Sequence, residues 1–189
     1  MTWFMKKILL IVGVLSLAAV ELKAQTQLVS RNAELSFYSS APIEDIKASS
    51  KNGYSIMDMQ AKTVYFKVDM RTFKFRKGLM EEHFNENYIE SDRYPYAEYK
   101  GKIVDEIDLS KDGDYQVTVK GDLLLHNVSQ SYTTKADIKV KEGRVSASSS
   151  FKVKLVDHKI KIPTLLIKNI AEVVDVSVSV VYADANKKI

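Results

Sequence analysis

The stretch GLMEEHFNENYIESDRYPYAEYKGKI, residues 78–103, gathers a histidine, several carboxylates and four tyrosines that could do chemistry. Glu81, Glu82, Glu86, Glu90 and Asp92 offer carboxyl pairs of the kind that hydrolyse a glycosidic bond. Such a pair needs one carboxyl group buried and raised in pKa, whereas a run of carboxylates at these spacings reads as a solvated helix face. His83 and Glu86, three residues apart, could supply half of a metal site on a helix. Zinc would need further nitrogen or sulfur ligands. His126 and His158 read as isolated in turns or strand ends, and the chain has no cysteine. His83 therefore reads as a structural histidine that fixes this segment, and no metal, cofactor or catalytic residue is expected. No glycine-rich phosphate loop or nucleophile elbow is present.

The elements that position this stretch are strands. Period-two alternation runs through residues 33–39, 64–70, 97–103, 115–125, 132–140, 145–155 and 174–182. The apolar phase slips after Met70, moving to Phe73 and Phe75, which predicts a bulge or sharp bend. KDGD at 111–114, HNVSQ at 126–130 and KEGR at 141–144 read as turns. Strands at this density predict an all-β sandwich or barrel. Two helical patches interrupt them: residues 164–172, and 78 to about 90, where Met80, Phe84 and Tyr88 recur every four residues and share one face. That face must cover something.

The N-terminus is built like an export signal. Lys6 and Lys7 precede an apolar run over residues 8–20, and Ala24 offers a small residue for cleavage. The apolar run is too short to span a bilayer as a mature helix. Cleavage after Ala24 would leave residues 25–189 as a single domain, with no integral membrane segment and a net charge near +2. Charge this balanced gives no basis for nucleic-acid binding. Without cysteine, neither disulfides nor a lipidated N-terminal cysteine are available. Lysines and aspartates at alternate positions of nearly every strand would face lipid in an outer-membrane barrel, at a few kcal/mol each. The apolar face therefore points inward.

Whether that interior is full is open at this level. Ala97, Gly101, Gly121, Thr134, Ala136, Ala147 and Ser149 are small inward residues on four consecutive strands, and an eight-stranded barrel can be packed or hold one small ligand. The inward tyrosines Tyr99, Tyr115, Tyr132 and Tyr182 would carry hydroxyls in need of partners.

The segment EEHFNENYIESDRYPYAEYKGKI resembles the central motif of the YceI family, with a histidine at His83, an aromatic position at Tyr88–Ile89, and Tyr94–Pro95 entering a strand. GDLLLHNVSQ and FKVKLVDHKIKIP resemble that family's later segments. The chain departs from the commoner family pattern at Glu81–Glu82, Ile89 and Asn127. The resemblance implies an antiparallel eight-stranded lipocalin-like barrel with a short helical lid and a short C-terminal helical segment. It implies an exported, periplasmic or secreted protein, not an enzyme, that holds a polyisoprenoid or similar lipid such as an isoprenoid quinone. The ligand-binding residues expected are Phe37, Phe66, Val68, Phe73 and Phe75 on the early strands, and Met80, Phe84 and Tyr88 in the lid. Tyr99, Leu123, Ala136, Ala147, Phe151 and Val176 are expected from the later strands. A ligand-free interaction or stress-response module is the second reading, and a hydrolase using the lid carboxylates the third. The oligomeric state is left open, a homodimer included.

Overall fold

The computed structural model describes residues 27–40, 45–162 and 171–184. Eight long strands form the wall: β1 (Gln27–Ser39), β2 (Ile46–Asp58), β3 (Thr63–Asp69), β5 (Tyr96–Ile103), β6 (Gly113–Leu125), β7 (Val128–Lys141), β8 (Arg144–Lys154) and β9 (Val173–Asp184). Every pairing is antiparallel, in the order β1-β9-β8-β7-β6-β5-β3-β2, and β2 returns to β1. The sheet is thus a closed barrel, which leaves no unpaired edge. A two-residue strand, β4 (Lys74–Phe75), pairs with β2 beside the rim.

Closure needs the sheet to curve, and β1 supplies part of the curvature. Its register against β2 shifts between Ser30 and Ala33 and again between Ala33 and Leu35, the extra residues that bend a strand and raise its twist. The apolar phase slip after Met70 is a 3-10 turn, Met70–Thr72, whose first N–H groups are met by the Asp69 side chain accepting from Arg71 N at 3.0 Å. Outward positions carry charge, as at Lys120, Lys135, Lys139 and Lys152, all exposed, while Val117, Val119, Ile138, Val145 and Val153 are buried.

Two expectations need correction. The segment 126–130 is not a five-residue turn: only His126 and Asn127 turn, both at positive φ (50° and 57°), and β7 starts at Val128. Two consecutive left-handed residues make the tight hairpin whose twist matches the flanking strands. The strand Ile46–Asp58 was not predicted, because its buried positions Ala48, Ser50, Gly53 and Ser55 are small or polar and change phase between Ser50 and Gly53. All four tyrosines read as inward pack in or against the core, and two of their hydroxyls meet partners at its margin: Tyr115 donates toward the carbonyls of Lys111 (2.9 Å) and Asp108 (3.1 Å), and Tyr132 bonds His158. The leader and its cleavage site lie outside the described residues. Most of the 164–172 helical patch does too, and the described residues show no distinct C-terminal helix.

Candidate functional site

The segment between β4 and β5 crosses one end of the barrel. It is an α-helix, α1 (Gly78–His83), running directly into a π-helical turn, Phe84–Tyr88, closed by Ile89 N donating to the Phe84 carbonyl at 2.9 Å. The four-residue spacing of Met80, Phe84 and Tyr88 does what the sequence predicts, since all three face the barrel interior. Phe84 is the centre of the closure. Its ring lies 5.5 Å from Phe37 in a stacked arrangement, 5.0 Å from Phe75 and 5.8 Å from Phe73. Such offset and tilted pairs stabilise beyond the area they bury.

Polar contacts tie the lid down on both sides. Glu81 accepts from Lys74 Nζ at 2.7 Å and from Phe75 N at 3.3 Å, fixing α1 to β4. The bond to Lys74 holds the Glu81 carboxyl below the usual carboxylate range, the opposite of what a general acid requires. Asn85 bridges Glu81 and Ser91 within the lid. At the far end, Glu90 meets His126 Nε2 at 2.9 Å, and His126 Nδ1 faces the His158 carbonyl at 3.1 Å.

His126 and His158 are therefore not isolated. His158 belongs to a 3-10 turn, Leu155–His158, and is fully buried. Its Nδ1 lies 3.0 Å from the Val128 carbonyl, which can only accept. Nδ1 therefore carries a proton and donates to that carbonyl, and Nε2 lies within hydrogen-bond distance of the Tyr132 hydroxyl at 2.9 Å. The chain of bonds joins lid, β6–β7 turn, β7 and the end of β8. The sequence carries no signal for it, because the two histidines are 32 residues apart and neither lies in a ligand-like motif. His83, assigned to fixing the lid, makes no hydrogen bond among the described residues; Glu81, Asn85 and Glu90 do that work. Also among the described residues, no group of three or more His, Cys, Asp or Glu is placed to hold a metal.

Beneath the lid lies a cavity of about 440 Å³, lined almost wholly by apolar atoms. All fourteen side chains that the sequence singles out for ligand contact border it. Phe37, Phe73, Phe75, Met80, Phe84 and Tyr88 stand at the lid end, Phe66, Val68 and Tyr99 on β3 and β5, and Leu123, Ala136, Ala147, Phe151 and Val176 round the remaining wall. Contributors the sequence did not single out include Met57 and Ser55, both on the strand it missed, and Ile160 beyond the 3-10 turn. At the end away from the lid, Ser55 Oγ donates to the Tyr65 carbonyl at 3.0 Å and so accepts from Tyr182 at 2.9 Å. Burial pushes the Tyr182 hydroxyl up to about 12.

A closed antiparallel barrel with charge outside, an apolar hollow inside and a helical lid defines a lidded β-barrel capable of holding an apolar ligand, with a cavity in the volume range of pockets that enclose small molecules. The chain belongs to the YceI-like domain family, whose match spans residues 22–182. Solved structures share the fold. A polyisoprenoid binding domain from Saccharophagus degradans, implicated in plant cell wall breakdown, superposes with a TM-score of 0.71 at 15% identity, covering 84% of this chain and 98% of that one. BcnA of Burkholderia cenocepacia gives 0.68 at 12% identity, covering 80% and 96%. The YceI protein of Campylobacter jejuni gives 0.60 at 19% identity, covering 78% and 88%. No curated protein sequence matches the chain. Among the described residues no helix is long and apolar enough to cross a membrane.

Proposed function

We propose that the barrel holds one long apolar molecule of polyisoprenoid type, such as an isoprenoid quinone, in the cavity beneath the lid. The fourteen lining residues named above form the binding surface. The observation that carries this reading is the cavity itself: a wall that is apolar on the inside and still encloses room for a guest. A domain of the same fold from Saccharophagus degradans is a polyisoprenoid binder, which supports the choice of ligand class. In this reading the protein works outside the cytoplasm, in the periplasm once the leader is removed after Ala24, and binds without catalysing a reaction. Family membership and the paired, ionised state of Glu81 both favour binding over hydrolysis.

The test is solvent extraction of the exported, purified protein followed by mass spectrometry. About one apolar chain-like molecule per protein is expected. A protein that comes out empty and takes up no added long-chain isoprenoid would overturn the reading and restore the ligand-free module. N-terminal sequencing of the same sample checks the export step, with a chain starting at Gln25 expected.

A further inference from the structure

The polar groups on the cavity wall are few, and nearly all are accounted for. Ser55 and Tyr182 bond each other, as do Thr134 and Ser149 at 2.9 Å. Ser39 Oγ accepts from Ala171 N at 2.9 Å, and Glu98 pairs with Lys67 at 3.2 Å. His83 and Tyr88 belong to the lid and are partly open to solvent. The Tyr99 hydroxyl is different. It is cut off from solvent and has no hydrogen-bond partner, the one buried side-chain polar atom so placed among the described residues. A buried polar group without a partner is unfavourable, and in a native fold it calls for an explanation.

The seat of this phenol is specific. Its ring lies over Gly101, where an added Cβ would stand 2.6 Å from Tyr99 Cε1. The cross-strand partner, Gly121, has no room for a Cβ either, since it would run into the Lys100 carbonyl and the Gly101 backbone. Gly101 thus clears the space that the ring occupies, Gly121 lets the β5 backbone approach closely, and Tyr99 borders the open cavity. Tyr99 is the fourth residue of β5, which starts at the lid end, so it stands roughly 10 Å down the wall at strand rise.

We propose, building on the lipid-binding reading above, that Tyr99 is the polar anchor for the guest. The phenol turns off Gly101 and donates its hydrogen bond to an uncharged oxygen of the ligand, such as a hydroxyl, ether, ketone or quinone carbonyl. Burial pushes this hydroxyl up to about 12, so it remains a donor at neutral pH. The oxygen it meets is uncharged in this reading, because among the described residues no lysine or arginine lines the cavity. A phosphate or carboxylate at that depth would be a buried charge without a counter-ion.

The experiment compares radiolabelled geranylgeraniol, the hydrocarbon of the same skeleton and geranylgeranyl phosphate, each partitioning between liposomes and the whole protein, for wild type and Tyr99→Phe. The wild type is expected to favour the alcohol over the hydrocarbon by about tenfold more than Tyr99→Phe does, the size of one net hydrogen bond. The hydrocarbon is expected to bind both proteins alike, and the phosphate to bind both least. An unchanged alcohol-to-hydrocarbon ratio in Tyr99→Phe would overturn the anchor, as would equal loss of both probes, which would make Tyr99 a packing residue only. Phosphate uptake matching the alcohol would overturn the uncharged class. If no probe entered the wild type, the lipid-binding reading would fall and the anchor with it. The first three outcomes leave that reading standing.

Discussion

The two sides of the cavity are built from different materials. On one side β1, β3, β4 and the lid contribute Phe37, Phe66, Phe75 and Phe84, with Phe73 from the turn between β3 and β4. Around the ring, β7 and β8 present Thr134, Ala136, Ala147 and Ser149 in mid-wall, with Ile138, Phe151 and Val153 further along the same strands. In the strand order β8 lies four places from β3, and β7 four places from β2, so these strands face each other across the barrel. The difference shows where the volume comes from. Large rings on one wall meet small side chains on the other and do not reach across. The cavity is a property of the pairing of walls, and neither wall shows it alone. A core of equally large residues on both sides would close to the packing density of ordinary protein interiors.

The largest effect is expected from thinning the aromatic wall. Phe84→Ala removes the ring at the centre of a cluster with Phe37, Phe73 and Phe75. Chemical denaturation should show a loss of about 3 kcal/mol, the low end for a buried Phe→Ala change, and the bound molecule should exchange faster. A stability loss with unaltered exchange would show that Phe84 packs without gating.

Thickening the opposite wall gives the next test. Ala147→Phe places a ring where the cavity now is, and lipid uptake should fall sharply. The empty protein should keep its denaturation midpoint, or gain up to about 2 kcal/mol from burying the new ring. A close-packed interior would instead lose roughly 1–3 kcal/mol to overpacking. Ala136→Phe on the neighbouring strand repeats the measurement. Two destabilised variants, with a wild type that binds nothing, would remove the distinction between the walls.

The hydroxyls set into the cavity wall predict an alkaline limit. Burial raises Tyr99 and Tyr182 from the ordinary 10 to about 12. Below pH 10 both phenols are protonated in the folded and unfolded chain, and stability is fully present. Above it the unfolded chain releases these protons first, so stability falls between about pH 10 and 12. Thermal midpoints measured across that window should decline, and the decline should be shallower in Tyr182→Phe. The smallest effect is expected outside both walls. Glu82→Gln and Glu86→Gln, exposed on the lid, should change stability by under about half a kcal/mol and leave lipid binding intact. Appearance of a hydrolytic activity in the wild type that either change abolishes would reverse that expectation.

The aromatic wall was legible in the sequence and the polar rim was not, for a physical reason. Alternation reports which face of a strand is apolar, and a four-residue spacing reports one face of a helix, so Phe66, Val68, Met80 and Phe84 could be placed without coordinates. Strand Ile46–Asp58 escaped because its inward residues are small and shift phase at a kink. Smallness is what makes room for Phe66, whose ring would meet a Cβ at Gly53 at 2.8 Å, but small residues give no periodic signal. The Glu90–His126–His158–Tyr132 chain depends on three turns meeting at one rim. Such meetings are set by barrel closure, which local patterns do not encode. The π-helical turn at Phe84–Tyr88 was equally hidden, since it keeps the same residues inward as an α-helix would.

The pairing of β1 with β9 also sets a timetable. Every long strand can zip to a neighbour close by in the chain, β1 to β2 and β9 to β8, but the seam that pairs Leu35 with Val178 joins the two ends of the barrel. Contacts of such separation carry a large loop-closure entropy and form slowly. Until the last strand arrives, the wall has a slit with two open edges, and the apolar lining faces water through it. A sheet left open at that seam would present two unpaired edges, the arrangement most prone to pair with another copy. Seen this way, the strand Val173–Asp184 is the clasp of the barrel.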